Sequence, residues 1–137
     1  MSKFWNFVAV LFLLSIALVV VDKSRAGITF TDLETECRYD RSQEAVVELK
    51  PDNSLGFEGH YPLASTRADL SLDYSQDRDS VTLNVEARNV EEVEDYSRDC
   101  QGVAVYDTDT RPLEPGRYMV RVKHDGDLVK EQVIAVR

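Results

Sequence analysis

From residue 55 to the end of the chain, apolar side chains recur at every second position in short runs, and turn residues break each run. Leu70, Leu72 and Tyr74 share one side of an extended segment. Val81, Leu83, Val85 and Ala87 share one side of the next, with Thr82, Asn84, Glu86 and Arg88 between them. A period of two with polar residues interleaved specifies strands that bury one face and wet the other. The same reading applies to Ile28 with Phe30, which start a short first strand, and to Ala45 through Leu49 before Pro51-Asp52-Asn53. It also covers Leu55, Phe57, Gly59 and Tyr61 as far as Pro62, Val103 with Val105, and Tyr118, Val120 and Val122. Asp125-Gly126 then forms a hairpin turn leading into a last strand over residues 128–136. No helical period longer than one or two turns interrupts these runs. Eight candidate strands after residue 26 predict an all-β chain, a two-sheet sandwich of about seven to eight antiparallel strands.

The amino terminus is different in kind. Residues 7–21 are apolar apart from Ser15, Lys3 precedes them, and Ser24-Arg25-Ala26 supplies a small-x-small ending. These are the three regions of an export signal, with cleavage expected after Ala26. As a helix the run spans about 22 Å against a hydrocarbon thickness of about 30 Å, so an uncleaved single-span anchor over residues 4–21 is the alternative. The expected organisation is a signal peptide or membrane anchor at 1–26 and an exported β-sandwich domain at 27–137. In either case the body is secreted, periplasmic or on the cell surface.

Residues 27–137 keep 13 of the 16 basic and 24 of the 25 acidic side chains, a net charge of −11. Such a body lacks the cationic footprint that nucleic acids and anionic membranes select. No nucleic acid is expected as a partner, and contact with a membrane is expected only through residues 4–21. Outside the cytoplasm an even cysteine count favours a disulfide, and Cys37 with Cys100 is the single intramolecular pairing the sequence offers. Closing that 64-residue loop would be worth roughly 4 kcal/mol in the chain-entropy model.

Two resemblances add to this. Leu113-x-Pro115-Gly116-x-Tyr118 resembles the corner before the penultimate strand of immunoglobulin-like and fibronectin type III sandwiches. It implies that the Tyr118 hydroxyl bonds back to nearby backbone, with Pro115 and Gly116 shaping the turn. The body has no Trp, unlike true immunoglobulin domains. The second resemblance runs from the Gly59 strand through Leu70-x-Leu72-x-Tyr74, the 81–87 strand, Asp99-Cys100-Gln101 and Pro115-Gly116 to Val120-x-Val122-x-His124-Asp125-Gly126. That order is similar to small exported β-sandwich domains of halophilic archaea, a family that brings no activity with it. Those domains carry their earlier cysteine between the first two of these strands, where this chain has Ser65-Thr66-Arg67, so the resemblance does not transfer a pairing.

Motifs for catalysis are missing from the sequence: no G-x-S-x-G elbow, no phosphate-cradling glycine loop and no clustered zinc ligands. No cofactor is expected, and the chain reads as a non-enzyme. Calcium is the one candidate ion, with oxygen ligands from Asp73, Asp77 and Asp79 in one loop or from Asp107 and Asp109 in another. The acidic stretch 91–99, with Glu91, Glu92, Glu94 and Asp95, is the candidate docking patch. The expected function is a non-catalytic module for binding an extracytoplasmic protein or glycan, or for envelope structure. Alternatives are an inhibitor presenting that acidic loop to a secreted hydrolase, and a small enzyme assembled from His60, His124 and carboxylates.

Overall fold

The computed structural model describes residues 27–38, 42–91 and 101–137, and among them are eight strands and no helix. The strands are β1 (Ile28–Arg38), β2 (Glu44–Leu49), β3 (Leu55–Leu63), β4 (Asp69–Gln76), β5 (Ser80–Arg88), β6 (Gln101–Thr110), β7 (Gly116–His124) and β8 (Asp127–Val136). They form two four-stranded sheets, ordered β1-β6-β3-β2 and β4-β5-β7-β8. The architecture is the expected two-sheet sandwich. The expected leader at 1–26 lies outside the described residues, and no described helix is long and apolar enough to cross a membrane.

The alternating residues named from the sequence make the core. Leu55, Phe57 and Tyr61 of β3 and Ala104 and Tyr106 of β6 face Tyr74, Val81, Leu83, Val85, Tyr118, Val120 and Val122 of the second sheet. Fully burying an aliphatic or aromatic side chain is worth about 1.5–3 kcal/mol relative to exposure, so this stripe is what holds the sheets together.

Three expectations need correction. The strands are not all antiparallel: β5 and β7 run parallel, from Ser80 beside Met119 to Val85 beside His124. The cause is the route of the chain. After β5 it crosses to the first sheet, lays β6 between β1 and β3, and returns to the second, so one intervening strand brings β7 back in the direction of β5. The first strand is not short either. β1 runs to Arg38 because Thr31, Leu33 and Thr35 alternate with Asp32, Glu34 and Glu36, with threonine in place of an aliphatic residue on the inward side. The third concerns β3, which continues past Pro62 to Leu63. The ladder to β2 ends at Glu44 and His60 while that to β6 runs on past Val103 beside Pro62, so the proline sits on the part of β3 that has become an edge on its β2 side.

The hairpins follow their turn chemistry. Asp125 and Gly126 have φ of 50° and 84°, the left-handed pair that a two-residue turn with matching twist requires. At the corner before β7 the Tyr118 hydroxyl donates to the backbone carbonyl of Glu114 at 2.7 Å. The Tyr118→Phe variant is expected to lose about 1 kcal/mol in urea unfolding, the net worth of one such bond, with an unchanged m-value.

Candidate functional site

The strand alternation that buries one side of the first sheet arrays carboxylates on the other. β1 contributes Asp32, Glu34 and Glu36, β2 contributes Glu44 and Glu48, β3 contributes Glu58, and β6 contributes Asp107 and Asp109. The registers align them across strands. Asp32 is opposite Asp107, which is opposite Glu58, so three carboxylates form one row over three neighbouring strands. Like charges directly opposite one another destabilise a sheet by several tenths of a kcal/mol to about 1 kcal/mol.

A shallow depression of about 310 Å³ lies on this face, lined by Glu44, Val46, Glu58, His60, Val105 and Asp107 together with backbone of Gly59 and Tyr106. Its floor is apolar and its rim acidic. A smaller hollow continues from it past Glu48, Gly56 and Asp109 to Lys50. Among the described residues two cations accompany the carboxylates, and each is committed to one of them: Lys50 Nζ lies 2.7 Å from Asp109 Oδ1, and Arg38 Nε lies 2.8 Å from Glu36. The hydrogen bond to Asp109 raises the Lys50 pKa above its usual value, against a smaller desolvation effect. Gly56 makes this reach feasible, since a Cβ there would meet Lys50 Cε at 2.9 Å. The other six carboxylates of the face have no ion-pair partner among the described residues.

Repulsion in the central row makes the face a source of instability that is open to measurement. The Asp107→Asn variant is expected to be more stable than the parent, by up to about 1 kcal/mol at low ionic strength. The gain should shrink as salt screens the row, which urea melts at two salt concentrations would show.

Inside the sandwich, at the same end as the depression, lies a polar cluster built on a buried histidine. His124 of β7 is 3% exposed, and its ring stacks on Tyr61 with centroids 4.5 Å apart. Its Nε2 is 2.9 Å from the Tyr106 hydroxyl and its Nδ1 is 3.2 Å from Gln43 Oε1. The amide oxygen can only accept, so Nδ1 carries the proton and Nε2 receives the Tyr106 O–H. Burial pushes the imidazole down to about 4, partly countered by Asp125 and reinforced by His60. Burial likewise raises the Tyr106 and Tyr61 hydroxyls well above the usual phenol value. This cluster ties β7 of one sheet to β6 and the approach to β2 of the other.

The sequence candidates fall as follows. His60 and His124 do not meet at one site: His60 lines the outer depression and contacts Ser42, while His124 is enclosed between the sheets. Asp73 is on β4 rather than in a loop with Asp77 and Asp79, which belong to the turn before β5. Asp107 and Asp109 are likewise on a strand, because Thr108 between them and Thr110 after them are fully buried and bond to backbone. Among the described residues no three His, Cys, Asp or Glu side chains are arranged to hold a metal ion. Glu91 is exposed and pairs with Arg67 at 3.3 Å; Glu92, Glu94 and Asp95 lie outside the described residues. Cys37 stands opposite Gly102, two positions from Cys100, which is also outside them; no described cysteine is a free thiol. The carboxylates on β1, β2 and β3 were missed by sequence reasoning. Their signal was acidic residues at alternating positions, as in Asp32, Glu34 and Glu36.

No family model, curated protein or solved structure matches this chain.

Proposed function

We propose that the chain is a non-catalytic binding module, exported or membrane-anchored, that receives a cationic protein segment on the outer face of the β1-β6-β3-β2 sheet. The observation that carries this reading is the row Asp32, Asp107 and Glu58, unneutralised beside an open depression with an apolar floor. A protein segment bearing lysine or arginine relieves that repulsion and covers Val46 and Val105, which an uncharged glycan does not. Supporting the non-catalytic part is the separation of the two histidines, one outside the sheet and one buried within the sandwich. The reading as an inhibitor rests on residues 91–99, of which only Glu91 is described, and that residue is engaged by Arg67.

The test is a titration of the full chain with a lysine-rich synthetic peptide. The Glu58→Gln/Asp107→Asn variant should bind several-fold more weakly, and Asp69→Asn/Asp73→Asn, an equal change of charge on the other sheet, should not. Equal losses in both would overturn the reading. Export belongs to the same proposal, as does a Cys37–Cys100 bond. In material recovered outside the cytoplasm, an alkylating reagent is expected to add no mass to the unreduced protein and two labels after reduction.

A further inference from the structure

The opposite side of the sandwich carries a surface suited to the acidic face. On the outside of the second sheet, β7 presents Arg117, Met119, Arg121 and Lys123 at alternating positions. The register sets them beside Ala135, Val133, Glu131 and Leu128 of β8. Glu131 is committed to Arg121 at 2.8 Å, so Arg117 and Lys123 are left without an ion-pair partner among the described residues. Leu128 and Val133 are 52% and 51% exposed. On the first sheet's outer face Phe30 and Val46 are 49% and 44% exposed amid carboxylates. Among the described residues, the large apolar side chains most open to solvent therefore lie on these two faces, one with surplus negative charge and one with surplus positive charge along β7.

We propose that the occupant of the acidic face is a second copy of this chain, docking through its β7–β8 outer surface. This rests on the reading of the first sheet as the binding face. The pairing is apolar against apolar at the centre, Val46 and Val105 against Met119 and Val133, with Lys123 and Arg117 reaching the carboxylates around them. The two faces are on opposite sides of one molecule, so each copy offers a free acidic face after it has docked. Contacts of this kind do not close on themselves and produce open stacks. The β7–β8 half of the sheet is about 10 Å wide and nine residues about 30 Å long. Such a contact covers roughly 600 Å² when both partners are counted, below the range of stable specific association and in that of a weak one. The stacks accordingly form at high local concentration and disperse in salt. Growth goes through the faces rather than the sheet edge: at that edge Lys130 and Gln132 of β8 stand beside the inward Val122 and Val120, a placement that discourages strand addition.

The experiment is sedimentation of the full chain at low ionic strength, in a neutral detergent that keeps residues 4–21 from associating. Two variants reverse one face each: Glu58→Lys/Asp107→Lys on the first sheet and Arg121→Glu/Lys123→Glu on the second. The parent is expected to sediment as concentration-dependent oligomers, and either variant alone to raise the dissociation constant about tenfold or more. An equimolar mixture of the two variants should reassemble, because each reversed face meets its new complement. A monomeric parent at every concentration overturns the proposal. So do oligomers indifferent to both reversals, or variants that fail to rescue one another. If the lysine-rich peptide still binds the parent and is lost with Glu58→Gln/Asp107→Asn while the parent stays monomeric, the binding face stands and only its occupant is wrong.

Discussion

Replacing Gly59 with alanine is expected to cost about 2–4 kcal/mol and to lower the melting temperature by roughly 10 °C or more. A Cβ at this position would overlap the Tyr106 hydroxyl and the backbone carbonyl of Glu44. The second obstacle is main chain of the neighbouring strand and cannot swing aside. The first is the group that donates to His124, so a displaced Tyr106 leaves a buried imidazole nitrogen unpaired. Overpacking and an orphaned acceptor therefore act together. Gly126→Ala is the instructive contrast. Nothing lies within 4 Å of a Cβ there, and only the φ of 84° penalises it, for about 1 kcal/mol. Thermal scans of both variants give the comparison. A double-mutant cycle with Tyr106→Phe should show less than additive losses, since without the hydroxyl the His124 bond is already gone and the nearest clash is relieved, although the ring carbon that carried it still crowds the new Cβ.

The protein is also expected to lose about 3 kcal/mol of stability between pH 6.5 and pH 4 through His124 alone. In the folded state burial holds this imidazole down to about 4, whereas in the unfolded chain it titrates near the ordinary imidazole value of 6.5. Between these values the unfolded state binds more protons than the native one, so stability falls as the pH falls. The histidine's contribution is fully present above pH 6.5 and is flat again below about pH 4. Carboxylates add their own slope, and a His124→Gln variant separates the two. Stability measured by urea at pH 7 and pH 4 should differ less in the variant than in the parent. Equal slopes would mean that His124 is solvated in solution.

How much of this was readable beforehand depended on which residue type held the inward positions. Where they were aliphatic or aromatic, as at Val81, Leu83 and Val85, the strand and its buried face followed directly from the period. Where they were threonine, the alternation looked polar throughout. Thr108 and Thr110 are fully buried, yet their alternation with Asp107 and Asp109 made a strand resemble an ion-binding loop. The Thr108 hydroxyl donates to the Phe30 carbonyl and the Thr110 hydroxyl accepts from the Leu55 N–H, and such pairing depends on which strand lies alongside. The acidic row has the same origin. Asp32, Asp107 and Glu58 are far apart in sequence, and only the registers of β1 and β3 on β6 align them. His124 shows the converse. Beside Asp125-Gly126 it looked like a turn residue, but the turn begins one position later and the ring packs inward.

The route of the chain through the two sheets bears on its biogenesis. The first sheet needs β6 between β1 and β3, and the second needs β7 beside β5, so neither is complete until residues 110 and 124 are available. A nascent chain emerging from the ribosome can form the β2–β3 and β4–β5 hairpins, but it has no finished sheet to lock them into. It stays threadable until synthesis is nearly over, a property that the export proposed above would call on.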